Sequence, residues 1–379
     1  MKIVLCPDSF KGSLSSLQVC QAIKEGFLRC SRDFEIVEKP LADGGEGFIE
    51  SIYLSLGGTF VHKIVTGPLW EKVPATFLVL PDEKTAVIEM AQAAGLTLIP
   101  EEKRNPRFTT TLGVGELILE AISRGYYRII LGVGGSATND GGMGALNALG
   151  VTFISQDGTA LSGMGDNFTK IQKINSDKVT PEVKQAEILI ATDVKNLLFG
   201  PEGAAVIYGP QKGASLEDVQ YLDEGLVHYS QKIFETSKRE IHTIPGSGAA
   251  GGIGAGLSGF LNTKFVSGIQ LVIDLIQLEK EVENADLVIS GEGKIDRQTL
   301  YGKVISGVYD LTKKYNKPLL LLAGMVDEDV FPAFEDKVLA IFSIANGPIS
   351  EELAFNNAYK LTENTAFNIA KVLLNPPGK

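Results

Sequence analysis

Two carboxylates stand among glycines in Ala42-Asp43-Gly44-Gly45-Glu46-Gly47, and Gly291-Glu292-Gly293-Lys294-Ile295-Asp296 combines two carboxylates with a lysine. A further acid, Asp193, closes the apolar run at 188–192, where it has no structural use unless it caps or binds something. Magnesium takes carboxylate oxygens together with phosphate and water rather than a full protein cage. Transfer of a phosphoryl group also needs a Lys or Arg on the moving phosphate and an acid to orient or deprotonate the attacking hydroxyl. All of these parts are present. Asp and Gly are common turn formers, so any one stretch also reads as a plain turn; the three together point to a site.

Two further loops are candidates for holding anions. Gly132-Val133-Gly134-Gly135-Ser136-Ala137 follows an apolar run and fits the GxGxxA of a dinucleotide site, with Asp157 about 20 residues further on. The polar stretch Thr138-Asn139-Asp140-Gly141-Gly142 then falls where a dinucleotide-binding helix would pack apolar side chains, and Asp157 lies in a turn-like Gln156-Asp157-Gly158. An anion site fits better, built from main-chain N–H groups and the hydroxyls of Ser136 and Thr138 ahead of a helix N-terminus. A tight turn without ligand is the plain alternative. The second loop, Pro245-Gly246-Ser247-Gly248-Ala249-Ala250-Gly251-Gly252-Ile253-Gly254-Ala255-Gly256, is too rich in Gly and Ala for a good strand or a stable isolated helix. It either wraps a phosphate or lets helices pack closely, and the residues leave both readings open. No GxxxxGK[ST] occurs, and the protein-kinase motifs are missing as well.

The formal net charge of −11 argues against nucleic acid or an anionic membrane as partner. It also requires that cations be concentrated locally if the substrate is an anion. Lys11, Lys212, Lys294 and Arg297 all stand beside glycine-rich loops, although Gly209-Pro210-Gln211-Lys212-Gly213-Ala214 by itself reads as a solvated surface turn. The 379 residues exceed one ordinary core, and the 42 glycines are clustered rather than periodic. Met1-Lys2 leads straight into an apolar strand without a signal-peptide pattern, and no apolar run approaches the ~20 residues of a membrane span, so a soluble cytoplasmic protein is expected. Cys6, Cys20 and Cys30 show no CxxC spacing; Cys20 and Cys30 continue the helical stripe Leu17, Cys20, Ile23, Phe27 and read as core thiols. His62, His228 and His242 sit in no motif.

These residues need elements that carry them. The recurring pattern is a short apolar run, a loop rich in Gly, Asp, Ser or Lys, and an amphipathic helix. It starts at Pro7-Asp8-Ser9-Phe10-Lys11-Gly12-Ser13, after which Ser15 and Gln18 have capping-box spacing. Runs this apolar are strands buried on both faces of a parallel sheet, and ligands bind at the carboxyl ends of such strands. The segments 75–80 and 85–90 read as an antiparallel hairpin, and 153–158 as another turn. The fold expected is α/β: a Rossmann-like domain with a mostly parallel sheet from residues 1–65 and 285–379, and a mixed α/β domain, 66–284, inserted in it.

Taken in order, the Pro7–Ser13, Ala42–Gly47, Gly134–Gly142, Gly209–Ala214, Gly246–Gly252 and Gly291–Asp296 stretches resemble the type I glycerate kinase family over essentially the whole chain. The resemblance implies transfer of the γ-phosphate of ATP to D-glycerate, with Mg²⁺ as cofactor and 2-phosphoglycerate favoured over 3-phosphoglycerate. It also implies two α/β domains with the site in the cleft between them; a monomer or homodimer is expected. The chain departs from the family pattern at Thr192 and Leu197, where Cys and Pro are usual, and at Phe48, where a smaller residue is expected. The roles expected are Asp193 as base or orienting acid, and Lys11 and Lys294 on the transferring phosphate and substrate carboxylate. Asp43, Glu292 and Asp296 are expected at magnesium. Asp8, Ser9, Gly134, Gly135, Ser136, Thr138, Asn139, Asp140, Lys212, Ser247, Gly248 and Arg297 are expected around substrate and phosphates. Two rivals remain from the residues alone: an NAD(P)-dependent oxidoreductase of a small hydroxy acid, and a two-domain binding protein for a small acid.

Overall fold

A computed structural model of the chain describes residues 1–42, 44, 45, 47–296, 299 and 304–375. It forms two compact units, one made of Met1–Asp43, Glu50–Leu56 and Ile269–Lys379, the other of Gly44–Ile49 and Gly57–Gly268.

The first unit is built on five parallel strands, Lys2–Leu5, Glu35–Glu38, Leu287–Ile295, Leu319–Val326 and Ala340–Ser343. Numbered along the chain they lie in the order 2-1-3-4-5. This is a doubly wound sheet whose winding reverses between Lys2–Leu5 and Leu287–Ile295, and such a switch point is where open α/β sheets bind ligands. Ile3, Val4, Leu5 and the residues from Leu319 to Leu322 are buried, as strands covered on both faces must be. Helix Ser16–Cys30 begins on the capping box formed by Ser15 and Gln18, and its apolar stripe joins the core through Cys20, Ile23 and Phe27. Its partner is the C-terminal helix Ala358–Leu374. The two backbones approach closely at Gly26, where a Cβ would stand 2.3 Å from the Glu363 carbonyl oxygen.

The second unit has six strands in the same order in space as in the chain: Thr59–Thr66, Lys72–Val79, Thr85–Glu89, Arg128–Gly132, Glu187–Ala191 and Asn262–Val266. The last four run parallel and end level, with Glu89, Gly132, Ala191 and Val266 in one row. The expected hairpin pairs Lys72–Val79 with Thr85–Glu89. Thr59–Thr66 adds an unanticipated antiparallel edge strand on the other side of Lys72–Val79. A small sheet of Thr152–Ile154, Ala160–Leu161 and Lys173–Asn175 contains the expected turn at Asp157.

Two stretches read as loops are regular structure. Gly291–Ile295 extends its strand, paired as far as Ile295 with Val326. Low intrinsic strand propensity is overridden here because side chains would not fit: a Cβ on Gly291 would lie 2.0 Å from the Leu322 carbonyl oxygen, and one on Gly293 3.2 Å from the Lys11 nitrogen. The end of the Gly/Ala run, Ile253 to Gly256, forms the start of the buried helix Ile253–Phe260. Burial stabilises a sequence that would not hold a helix alone, and Gly256 packs where a Cβ would be 1.9 Å from the Gly141 carbonyl oxygen. Among the described residues no helix is long and apolar enough to cross a membrane.

The helix contact at Gly26 sets up a test. Gly26→Ala gains about 1 kcal/mol of helix propensity but drives a methyl into a main-chain carbonyl, and overpacking costs ~1–3 kcal/mol. Net destabilisation is expected, read as a lower urea midpoint at unchanged slope.

Candidate active site

The candidate residues gather in two places, one in each unit. In the first, the loop after Lys2–Leu5 lies against the strand Leu287–Ile295 at the switch point, tied by the Asp8 N–H donating to Gly291 O at 2.9 Å. Asp8 is buried, and its Oδ1 accepts from the Ser9 N–H at 2.7 Å, which tightens the turn that carries Ser9 and exposed Lys11. On the facing strand Glu292 is buried and accepts a hydrogen bond from Thr299 Oγ1. Thr299 Oγ1 in turn accepts from the Asp296 N–H at 3.0 Å. Lys294 is exposed and paired with Asp327 at 2.9 Å, which raises its pKa. An exposed pair of this kind holds its partners weakly, so Lys294 can exchange Asp327 for an anion. Asp43 and Arg297 lie outside the described residues.

The second cluster sits over the level carboxyl ends of the parallel strands in the other unit. The Gly44–Gly45 turn lies directly on the Gly132–Gly135 loop, with Gly134 N–H donating to Gly44 O at 2.9 Å. A Cβ on Gly134 would be 2.4 Å from Gly45 Cα, and one on Gly132 would be 2.7 Å from the Phe48 ring. Buried Phe48 thus fills the space that Gly132 leaves open. Asp193 follows the strand Glu187–Ala191, and its Oδ1 accepts from Ser267 Oγ at 2.6 Å. The turn after it is held by Asn196, whose Nδ2 donates to Glu202 O at 2.8 Å and whose Oδ1 accepts from the Tyr208 hydroxyl at 2.7 Å. Ser247 is fully buried, with its Oγ bonded to His242 O, and Gly248 N–H donates to Asn196 O.

Lys212 is 2% exposed, which overturns the reading of its loop as a solvated turn. Its Nζ donates to Ser136 Oγ at 2.8 Å and to Thr138 O at 2.7 Å. Burial pushes its pKa down to about 7, with the nearby Asp140 carboxylate acting in the opposite sense. Asp140 itself is fully buried and uses both oxygens on the protein: Oδ2 accepts from Thr111 N–H, Thr111 Oγ1 and Gly144 N–H, and Oδ1 from Gly142 N–H. Burial raises its pKa, and these hydrogen bonds offset part of the rise. Asp140 therefore shapes the loop. Thr138 Oγ1 and both side-chain polar atoms of Asn139 are buried without a hydrogen-bond partner. Among the described residues the N–H groups of Gly135, Ser136, Thr138, Asn139 and Asp140 also find no acceptor. A loop that gathers unspent donors round a buried ammonium is suited to an anion.

Three contributors escaped the sequence reading. Glu89 is buried at the end of its strand beside Gly132, and the rule that singled out Asp193, an acid closing an apolar run, would have found it. Thr111 and Ser267 gave no local signal, because their partners Asp140 and Asp193 are distant in sequence. Asp157 sits exposed in the turn of an antiparallel hairpin, accepting from Thr159 N–H, rather than at the end of a parallel strand.

A family model described as the glycerate kinase family matches residues 3–374. A glycerate kinase of Halalkalibacterium halodurans is 44% identical over 370 residues, 98% of this chain and 97% of that one. A glycerate 2-kinase of Escherichia coli is 43% identical over 373 residues, 98% of both chains. Among solved structures, a Salmonella typhimurium LT2 protein described as glycerate kinase 2 aligns with TM-score 0.85 at 40% identity, covering 99% of this chain and 98% of the other.

The Asp140 network predicts the outcome of Thr111→Val. The change removes a donor to a buried carboxylate and the acceptor of Ala145 N–H. A loss of ~1–3 kcal/mol is expected, measurable by chemical denaturation.

Proposed function

Because this chain belongs to the glycerate kinase family, we propose that it transfers the γ-phosphate of ATP to D-glycerate, giving ADP and 2-phosphoglycerate in preference to 3-phosphoglycerate. The observation that carries the chemistry is the Ser136–Asp140 loop, with its unspent donors set round the buried ammonium of Lys212 in a chain of net charge −11. The N–H groups of Gly135, Ser136, Thr138, Asn139 and Asp140 hold phosphate oxygens, while Gly134, Ser247 and Gly248, whose donors go to Gly44 O, His242 O and Asn196 O, shape the surrounding loops. Ser9, Lys11 and Lys294 at the switch point bind the remaining anionic groups, with Asp8 holding the turn that carries Ser9 and Lys11. The choice of the 2-hydroxyl is supported by the E. coli relative named a glycerate 2-kinase.

Asp193 is the acid on the reacting hydroxyl. The hydroxyl oxygen bonds to the γ-phosphorus as the bond to the ADP oxygen breaks, and the hydroxyl proton passes to the Asp193 carboxylate. Ser267 Oγ, donating to Asp193 Oδ1, keeps that carboxylate from turning. The chemistry of Glu292 and Asp296, hard carboxylate oxygens at the switch point, fits magnesium, which completes its shell with phosphate and water. Bound there, Mg²⁺ would neutralise phosphate charge. A nicotinamide cofactor is disfavoured because Asp157 lies in an exposed turn. The protein acts in the cytoplasm, as a monomer or homodimer.

The test is ADP release with D-glycerate, ATP and Mg²⁺, with phosphorus NMR of the product. Glycerate-dependent release that stops on adding EDTA, with phosphate on the 2-hydroxyl, is expected. Folded protein that releases no ADP would overturn the reading. Asp193→Asn should lower kcat by ~10²–10⁴ at unchanged circular dichroism; near-normal turnover would remove Asp193 from the mechanism.

A further inference from the structure

A buried lysine with two protein acceptors is more than a cation near a ligand. Lys212 Nζ donates to Ser136 Oγ at 2.8 Å, so the Ser136 oxygen already accepts and its proton is left to donate elsewhere. Among the described residues that hydroxyl donates to nothing, and Ser136 keeps 8% of its surface exposed, whereas Lys212 keeps 2%. The ammonium is thus the more deeply buried of the pair, and the hydroxyl proton is left for a ligand. The second bond, to Thr138 O at 2.7 Å, fixes the loop main chain two residues on. Gly213, in the left-handed region at φ 89°, lets the Lys212 turn close onto Arg104, where a Cβ would be 2.3 Å from the Arg104 carbonyl oxygen.

We propose that Lys212 is the positioning residue of this anion loop, holding the Ser136 hydroxyl as a hydrogen-bond donor directed at a bound dianionic oxyanion such as a phosphate group. The inference rests on the reading of the Ser136–Asp140 loop as a phosphate site.

The charge on Lys212 gives the proposal a second readout. The Asp140 carboxylate favours the ammonium; Arg104 packs on the adjoining Gly213 with its guanidinium turned to Ile99 O, and Tyr229, a buried phenol bonded to Gly141 O, faces the same Asp140 carboxylate. Burial pushes Tyr229 well above its ordinary pKa, so it stays neutral. With the lysine pushed down to about 7, the free protein at pH 8 holds it largely as the amine, and a dianion recruits the missing proton. The folded protein then binds fewer protons than the unfolded chain between pH 7 and the ordinary lysine value of 10.5, so this group adds stability as pH rises through that window. Anion binding must weaken over the same window.

Sulfate is the probe, because it stays dianionic and any proton taken up comes from the protein. Titration calorimetry at pH 8 in buffers of different ionisation heat is expected to show uptake approaching one proton per sulfate bound. Affinity should fall about tenfold per pH unit between pH 8 and 9. Lys212→Met should lose the proton uptake and the pH dependence and weaken sulfate at least tenfold. Ser136→Ala should weaken it comparably, and the double variant no further than Lys212→Met alone, since one residue acts through the other. Should Lys212→Met not fold, Ser136→Ala decides: sulfate affinity equal to wild type overturns the proposal. So does pH-independent binding by the wild type, or additive losses in the double variant. If the wild type binds no sulfate yet turns over glycerate, the loop assignment fails and the kinase survives; loss of turnover as well would sink the function.

Discussion

Main chain packed on main chain, with no Cβ between, is the constraint on which the rest of the second unit depends. Gly134 on Gly45, Gly251 on Thr138 and Gly256 on Gly141 are all positions where an added Cβ would stand 2.4 Å or less from a backbone atom. Three loops and a helix thereby share a volume that side chains would otherwise fill. The Thr138–Gly142 backbone is held between the Gly251–Gly256 segment and the Asp140 bonds, so its N–H groups are fixed before any ligand arrives. Such preorganisation lets backbone donors stabilise an anion without reorganising to do so.

Charge is managed inside that frame by one acid and one lysine. Asp140 is locked by four donors from Thr111, Gly142 and Gly144, and its negative charge favours the ammonium of Lys212. Burying a charge costs several kcal/mol unless it is compensated, and here the compensation for Lys212 is incomplete, which is why burial drives its pKa toward neutrality. An incoming anion completes what the protein leaves unfinished. The first unit solves the same problem differently: Lys11 and Lys294 are exposed, and Lys294 rests on Asp327 in a pair that solvent keeps weak.

The order 2-1-3-4-5 explains why residues from the two ends of the chain meet. Reversal of the winding puts the first strand beside the third, so the Asp8–Lys11 turn and the Glu292–Lys294 strand become neighbours although most of the chain lies between them.

Much of this was legible in the residues. Apolar runs ending in Gly and Asp announce parallel strands with loops at their carboxyl ends, and Ser15 with Gln18 announces a helix start, because these signals are local and physical. The six glycine-rich stretches were enough to identify the family, since each needs backbone where most residues do not fit. Tertiary structure decided the rest. Gly291–Ile295 is strand and Ile253–Phe260 helix because neighbours hydrogen-bond and bury segments whose own propensity is poor. Lys212 is buried, Asp140 is a loop staple, and Thr111 and Ser267 matter, because each depends on a partner far along the chain. Spacing in a sequence carries the geometry of one turn of chain; the environment of a charge is set by whatever the fold packs against it.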